Sequence, residues 1–403
     1  MRRLLAHRDA RVYLVGQVFS LLGDSCMWLA MGIWVKTLTG SSAAAGLTFF
    51  FFTAPTLLSP VSGLIADRCR RRELLIVTNA LTGGAVLLLL FVHGQNQVWL
   101  IYTVMALYGL AYTVLSSAQA ALLSVMVPAE LLADANGALR TAQESLRLIG
   151  PLAGAALFVA VGAHVIALLD AATFAVPVVS LLMLHVAEPA AQPTTERRRD
   201  QLAAGIRHVW RTPELRHVVI AGACSTTVFG FAETITYAIA SNGLHRPPAF
   251  VGILIAVQGV GAVIGGPTAA PLIRRIGEAR LIAAGMLLAA TGALLETPPV
   301  LASVLAGAIC FGAAIPWLVV GLITLGQRLT PPELQGRVYA AFDTIITVPQ
   351  TASIALGAGL IATTGYRPLL LTMTTVMALA AVYLLSRPIA SGERVTPSSP
   401  PRS

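Results

Sequence analysis

The chain is built from a succession of long apolar stretches that are separated by short polar connections. A helix needs roughly 20 apolar residues to cross the hydrocarbon core of a bilayer. Of the 403 residues, 56% are hydrophobic and 11% are charged, whereas a soluble domain carries about a quarter charged residues. The sequence therefore predicts an all-α membrane protein with twelve transmembrane helices. The predicted spans are 11–37, 43–65, 73–93, 98–126, 136–161, 164–187, 214–241, 248–272, 279–297, 299–327, 338–362 and 365–386, of which the ninth is the shortest.

Arginine is concentrated in every second connection, for example at 68–72, 197–199 and 274–280. The intervening connections, such as 39–42 and 93–97, are short and nearly free of positive charge. Positive loops stay on the cytoplasmic side, so we expect a multi-pass protein of the bacterial inner membrane with both termini cytoplasmic. The net charge of +9 then lies beside the headgroups of the lipid bilayer. Its dispersal over many short loops argues against a nucleic-acid partner.

One long polar stretch divides the chain into two parts of similar length. Its second portion has apolar residues at helical spacing, Leu202, Ile206, Val209 and Trp210, which predicts an amphipathic helix along the membrane interface. A short repeated motif supports an internal duplication of the chain. A Pro-Ala-Glu-Leu run at 128–131 precedes span five, and Pro-Glu-Leu at 332–334 precedes span eleven. Such repeats are typical of transporters with a site between two bundles.

The predicted architecture is thus two pseudo-symmetric six-helix bundles. The first bundle is 1–187, and it is followed by a cytoplasmic linker with the amphipathic helix at 188–213. The second bundle is 214–387, and 388–403 is expected to be a disordered cytoplasmic tail.

Two acids lie in the middle of predicted spans, Asp24 in the first and Glu233 in the seventh, which is its pseudo-symmetric partner. A charge at the bilayer centre costs roughly 3 kcal/mol or more, so each acid must face a cavity or a partner. A carboxyl group in an apolar cavity can take up and release protons, as a proton antiporter requires. The alternative is that either acid only bonds a neighbouring helix.

Further polar residues are candidates for the same cavity. Gln143 and Arg147 lie in span five, where Arg147 is either the positive group of the cavity or the i, i+3 partner of Glu144. Tyr112 follows Tyr108 at helical spacing in span four, which indicates either a pathway lining or an aromatic packing stripe.

Motifs for enzymatic chemistry are missing from the sequence. The only lysine, Lys36, lacks the glycines of a phosphate-binding loop, and the histidines form no H-E-x-x-H pattern. The four cysteines form no CxxC pair, so neither a zinc site nor a disulfide is expected. We therefore expect no enzyme, no cofactor and no metal, and transport coupled to an ion gradient instead.

The connection between spans two and three carries the most specific motif, with Gly63, Asp67, Arg68, Arg71 and Arg72 at fixed spacing. It resembles the G-x-x-x-D-R-x-G-R-R loop of the major facilitator superfamily, with Arg70 at the position of the usual glycine. The resemblance covers essentially the whole chain and implies that this loop latches the cytoplasmic side in the outward-open state. The alternative is an ordinary cluster of arginines that sets topology.

A second match, in span five, consists of Gly150, Pro151 and Gly154 and resembles the G-P-x-x-G-G signature of antiporter-type exporters in that superfamily. Proline and small residues here kink the helix and allow close packing against a neighbour. The run at 169–174, Leu-Asp-Ala-Ala-Thr-Phe, resembles a prokaryotic branch that exports drugs, macrolides and siderophores. Span four lacks the intramembrane arginine that many proton-coupled drug exporters carry there.

These features together predict a monomeric secondary active transporter that exports small hydrophobic or amphipathic molecules, such as drugs, macrolides or siderophores. Proton antiport with alternating access is the expected mechanism, and the partners are a small-molecule substrate, protons or another coupling ion, and lipid. A facilitator or importer of a small metabolite is the alternative. A polytopic scaffold that transports nothing is less favoured, because it has no use for mid-span acids.

Overall fold

The computed structural model describes residues 7–58, 62, 69–127, 129–184, 198–331 and 334–387, and every regular element in these ranges is helical. The helices are α1 Arg8–Thr39, α2 Ser42–Thr53, α3 Arg71–Leu87, α4 Val98–Met126, α5 Ala129–Leu182, α6 Arg198–Arg211, α7 Pro213–Phe229, α8 Ala232–Ala238, α9 Val251–Ile276, α10 Glu278–Leu295, α11 Leu301–Leu329, α12 Gln335–Thr364 and α13 Tyr366–Leu385. A 3-10 turn at Ala54–Leu58 extends α2, another at Leu88–Phe91 extends α3, and a π turn at Ile239–Gly243 follows α8.

Ten segments of the described chain are long and apolar enough to cross a membrane, and a shorter apolar helix covers Ser42–Leu58. The shortest of the ten is α10, with 18 residues, as expected for the ninth span. The 54-residue helix α5 contains two predicted spans and breaks at Gly162, which has φ 80° and ψ 169°. Glycine alone adopts that conformation without strain, so the break falls between predicted spans five and six. The all-α membrane fold is confirmed.

The outer surfaces of the helices are apolar. Leu81, Val159 and Leu379 are each more than 60% exposed, on α3, α5 and α13. A soluble protein does not leave so many large aliphatic side chains in water, whereas a lipid-facing surface requires them.

The connection between α1 and α2 marks one end of the molecule, which we call the Gly40 end; the opposite end, where α3 begins, is the Arg71 end. Gly40 has φ 68° and terminates α1. The buried Nζ of Lys36 donates hydrogen bonds to the Gly40 carbonyl and to Ser42 Oγ, both at 2.8 Å. The only lysine of the chain therefore links the end of α1 to the beginning of α2.

Helices from the two sides of the linker meet closely near the Gly40 end, in a contact that we call the seam. A Cβ atom on Gly32 would lie 2.1 Å from Tyr237 Oη, and one on Gly46 would lie 2.0 Å from Thr234 Oγ1. A third such contact joins Gly252 of α9 to α5. Because glycine has no side chain, these positions allow α1, α2 and α5 to approach α8 and α9.

The amphipathic helix of the linker is present as α6 and packs on the beginning of α12. Val209 is fully buried there, and Gly205 lies against the backbone carbonyl of Arg337. Trp210, which we expected on the same apolar face, is 48% exposed because it lies next to Val209 and points away from the packed side. Some of the predicted features lie outside the described residues: the first part of the linker, the tail 388–403, and residues 128 and 332–333 of the repeated motif.

Candidate functional site

The Gly162 break divides α5 into a first arm, 129–161, and a second arm, 163–182. Two aspartates and one tyrosine meet where α1, α4 and the second arm of α5 come together. The Tyr108 hydroxyl donates a hydrogen bond to Asp24 Oδ1 and lies 3.5 Å from Asp170 Oδ2. Asp170 is only 1% exposed. The approach of α1 to α5 depends on Gly23, because a Cβ there would lie 2.5 Å from Asp170 Oδ1. We call Asp24, Tyr108 and Asp170 the carboxyl cluster.

The other carboxyl oxygen of Asp170, Oδ1, is buried and has no hydrogen-bond partner among the described residues. Two ionised carboxylates this close in apolar surroundings repel each other strongly, and one phenol hydroxyl cannot satisfy both. A pair that holds one proton between its members avoids that repulsion. The carboxyl cluster can therefore bind and release a proton.

A small cavity adjoins the carboxyl cluster and has a volume of about 20 Å³, enough for one water molecule. Asp24, Tyr108, Tyr112 and Phe174 are among its lining residues. Tyr112 is 55% exposed, so the cavity lies between the two acids and an accessible aromatic surface. The structure thus brings Asp24 and Tyr112, two of the predicted site residues, to one place.

The surroundings of Asp24 differ toward the two ends of the molecule. Two turns toward the Arg71 end, the buried side chain of Gln17 accepts a hydrogen bond of 2.7 Å from Gln119 Nε2. One turn toward the Gly40 end, Trp28 packs against Phe49 and Phe52, with ring centres 4.9 and 4.6 Å apart. Asp24 therefore has polar residues toward the Arg71 end and an aromatic cluster toward the Gly40 end. We call this cluster, Trp28, Phe49 and Phe52, the aromatic plug.

The motif of Gly150, Pro151 and Gly154 packs on the turn of α1 that carries Asp24. Added Cβ atoms on Gly150 and Gly154 would lie 2.2 Å from Ser25 Cβ and 2.2 Å from the Cys26 carbonyl. Pro151 lies inside α5, one residue after the first of these glycines. A displacement of α5 therefore acts directly on the backbone next to Asp24.

The loop motif between spans two and three is described only in part, since Gly63, Asp67 and Arg68 lie outside the described residues. Arg71 begins α3. Arg72 donates from Nε to the Leu181 carbonyl at 2.7 Å and from Nη2 to the Leu182 carbonyl at 3.0 Å. It thereby adds side-chain hydrogen bonds to carbonyls in the last turn of α5, where the regular helical hydrogen bonds end.

The remaining predicted residues lie on α8 and on the first arm of α5. Glu233 is on α8, one turn before Tyr237, which packs on Gly32 in the seam. Gln143 is on the first arm of α5, two turns before Gly150. The side chain of Arg147 lies outside the described part of the structure.

Asp170 is a site residue that the sequence did not predict, because the run 169–174 indicates only a family resemblance. The available signal was an acid six residues into a predicted apolar span. By the reasoning applied to Asp24, such an acid needs a cavity or a partner.

Comparisons with known proteins agree with this architecture. The family model described as "Major Facilitator Superfamily" matches residues 13–239 and 223–402. "Multidrug resistance protein MdtG" of Serratia proteamaculans (strain 568) is 28% identical over 392 residues, which cover 92% of this chain and 90% of that protein. "Uncharacterized MFS-type transporter YfiS" of Bacillus subtilis (strain 168) is 24% identical over 365 residues, covering 87% and 85%.

Solved structures show the same fold at lower identity. The nucleoside transporter NupG superposes with a TM-score of 0.70 at 13% identity, covering 93% of this chain and 98% of that one. A bacterial homologue of the iron transporter ferroportin in an inward-facing state gives 0.71 at 16% identity, covering 94% and 99%. Since the family model spans nearly the whole chain, this multi-pass membrane protein belongs to the major facilitator superfamily.

Proposed function

We propose that this chain is a secondary active exporter of small hydrophobic or amphipathic molecules, driven by proton antiport across the bacterial inner membrane. The observation that carries the proposal is the sharing of the Tyr108 hydroxyl by Asp24 and Asp170. The direction of transport is taken from relatives named for multidrug resistance, which align over 92% of the chain.

The proposed cycle alternates access to the carboxyl cluster from the two ends. Residues 1–187 and 214–387 act as two bundles that move relative to each other, with both termini and the Arg71 end in the cytoplasm. In the described state the seam and the aromatic plug close the Gly40 end, so the proton leaves toward the polar Arg71 side. Substrate then binds in the space between the bundles, next to Tyr112. Opening of the seam releases substrate outward and admits a proton from outside.

The other predicted residues have supporting roles in this scheme. Glu233 is a second protonatable group, carried by the opposite bundle, and Gln143 and Arg147 are polar groups of the substrate path. Gly63, Asp67, Arg68 and Arg71 latch the Arg71 end when the Gly40 end is open. Arg72, which also belongs to this motif, donates hydrogen bonds to the end of α5 in the described state.

The test is transport in proteoliposomes under an imposed pH gradient, with a panel of lipophilic dyes, macrolides and siderophores. Wild type is compared with Asp24→Asn, Asp170→Asn and the control Glu73→Gln, which changes an acid that is 67% exposed. We expect gradient-driven accumulation in wild type and the control, and its loss in both aspartate variants. A transport rate that depends neither on the pH gradient nor on the two aspartates would contradict proton coupling and favour a facilitator.

A further inference from the structure

Two exposed histidines lie side by side at the Gly40 end, and one of them, His164, lies six residues before Asp170 on α5. His93 lies between the turn that ends α3 and the beginning of α4, and His164 follows the Gly162 break in α5. Their ring centres are 5.5 Å apart, with the ring planes inclined by 36°. Nothing in the proposed transport cycle uses either residue.

Hydrogen bonds determine which nitrogen of each ring carries the proton. His93 Nδ1 lies 2.9 Å from the Phe91 carbonyl, and His164 Nε2 lies 2.8 Å from the Val92 carbonyl. A carbonyl oxygen can only accept, so the bonded nitrogen of each ring must be the N–H. In the neutral rings, Nε2 of His93 and Nδ1 of His164 therefore keep a free lone pair. An imidazole whose other N–H is tied to a carbonyl is the arrangement that metal-binding histidines use.

The spacing of the rings fits a shared ion. With a metal–nitrogen distance of about 2.1 Å, the ion lies about 3.2 Å from each ring centre. At a tetrahedral angle, two such rings have centres about 5.2 Å apart. The observed distance of 5.5 Å between the ring centres is close to this value.

Neighbouring groups hold both histidines in place. The His164 ring packs edge-on against the buried Trp34, with ring centres 5.2 Å apart. The backbone N–H of His93 donates to Gln97 Oε1 at 2.6 Å, which fixes the turn. Preorganised ligands lose little conformational entropy when an ion binds.

We propose that His93 and His164 form a binding site for a divalent transition-metal ion, best Zn²⁺, whose remaining coordination positions are taken by water. Imidazole ligands favour zinc, copper and nickel over the oxygen-seeking Mg²⁺ and Ca²⁺. A bound ion ties the connection between α3 and α4 to the second arm of α5. The site is separate from the transport path, so the ion is a ligand of the protein and not its cargo.

The test uses the full chain without an affinity tag, purified in detergent and titrated with Zn²⁺ by calorimetry. We expect one ion per wild-type chain, and binding at least about tenfold weaker in His93→Gln and in His164→Gln. The control is His245→Asn, which removes a separate exposed histidine at φ 52°, a conformation that asparagine tolerates. Equal binding by wild type and both glutamine variants would overturn the proposal, as would an equal loss in the control.

A second measurement does not depend on the folding of any variant. Pulsed electron paramagnetic resonance of bound Cu²⁺ counts the coordinated imidazoles, and we expect two in the wild-type protein. A count of one or none in wild type would overturn the two-histidine site. Neither readout involves transport, so the result is independent of the proposed export activity.

Discussion

The hydroxyl of Tyr108 donates a hydrogen bond to Asp24 and thereby joins α4 to α1 in the interior of the spans. The same hydroxyl lies 3.5 Å from Asp170 on the second arm of α5. One phenol on α4 thus connects an acid on α1 with an acid on α5. A change in the relative position of these helices alters how the acids share their proton, which is how helix movement can be coupled to proton release.

We expect Tyr108→Phe to reduce gradient-driven transport about 10- to 100-fold while leaving the protein in the membrane. A hydrogen bond to a charged group contributes about 1.5–3 kcal/mol, and its loss disfavours the ionised state through which the proton must leave. The measurement is initial transport rate in proteoliposomes. The control is Tyr102→Phe, whose hydroxyl donates to the Ala44 backbone carbonyl at 2.9 Å and bonds no acid among the described residues. Equal rates for both variants would remove Tyr108 from the coupling path.

The spans were predictable because length and apolarity alone decide whether a segment crosses a bilayer. The predicted boundary between spans five and six fell at Gly162, where the backbone of α5 turns, and the short ninth span is α10. The linker helix was also predictable, since it needs only apolar residues at helical spacing.

The partners of the buried acids were not predictable in the same way. Which face of a membrane helix looks inward depends on packing against neighbours, since lipid and protein interior are equally apolar. Asp24 was recognised from its depth alone, whereas its connection to Asp170 needs the rotation of α5 about its axis. The seam between Gly32 and Tyr237 depends in the same way on how distant helices meet.

We expect Gly46→Ala to open the seam, because the new methyl group would lie 2.0 Å from Thr234 Oγ1. Overpacking of this kind costs about 1–3 kcal/mol, enough to shift a two-state equilibrium toward the open Gly40 end. The measurement is the distance between spin labels at Asn96 and Asn242, with the four native cysteines replaced. Longer distances are expected than in wild type. The matched control is Gly84→Ala, where an added Cβ has no neighbour within 4 Å, and an equal shift there would contradict the argument.

We expect Glu278→Ala to lower the thermal midpoint in detergent by several degrees. Arg328 holds this largely buried acid with two contacts, Nε to Oε1 at 3.0 Å and Nη2 to Oε2 at 3.2 Å. Loss of one partner from such a pair costs about 2 kcal/mol or more, since the other charge stays partly desolvated. The matched control is Glu73→Ala, because its contact with Arg70 is exposed on both sides and contributes little. Similar thermal midpoints for Glu278→Ala and Glu73→Ala would show that the ion pair between Glu278 and Arg328 does not stabilise the folded protein.

Stability should fall as the pH rises because of Glu296, which follows the last residue of α10 and lies outside the spanning helices. Burial raises the pKa of Glu296 from its ordinary value of 4.5 to about 8. Between these two values the folded state binds more protons than the unfolded state, so the free energy of unfolding decreases with rising pH. The loss begins near pH 4.5 and is complete above about pH 8. Because the side chain keeps some exposure, we expect it to amount to roughly 2 kcal/mol.

The substitution Glu296→Gln keeps the shape of the neutral acid and removes its ionisation. We therefore expect wild type and Glu296→Gln to have similar thermal midpoints at pH 5, and the variant to be the more stable at pH 8.5. The carboxyl side chain packs against Gly307 at the beginning of α11, so the ionised form must either remain desolvated there or separate the two helices. Glu73→Gln, which changes an exposed acid, should follow the wild-type curve. Parallel midpoint curves for wild type and Glu296→Gln across this range would show that Glu296 is hydrated in the folded protein.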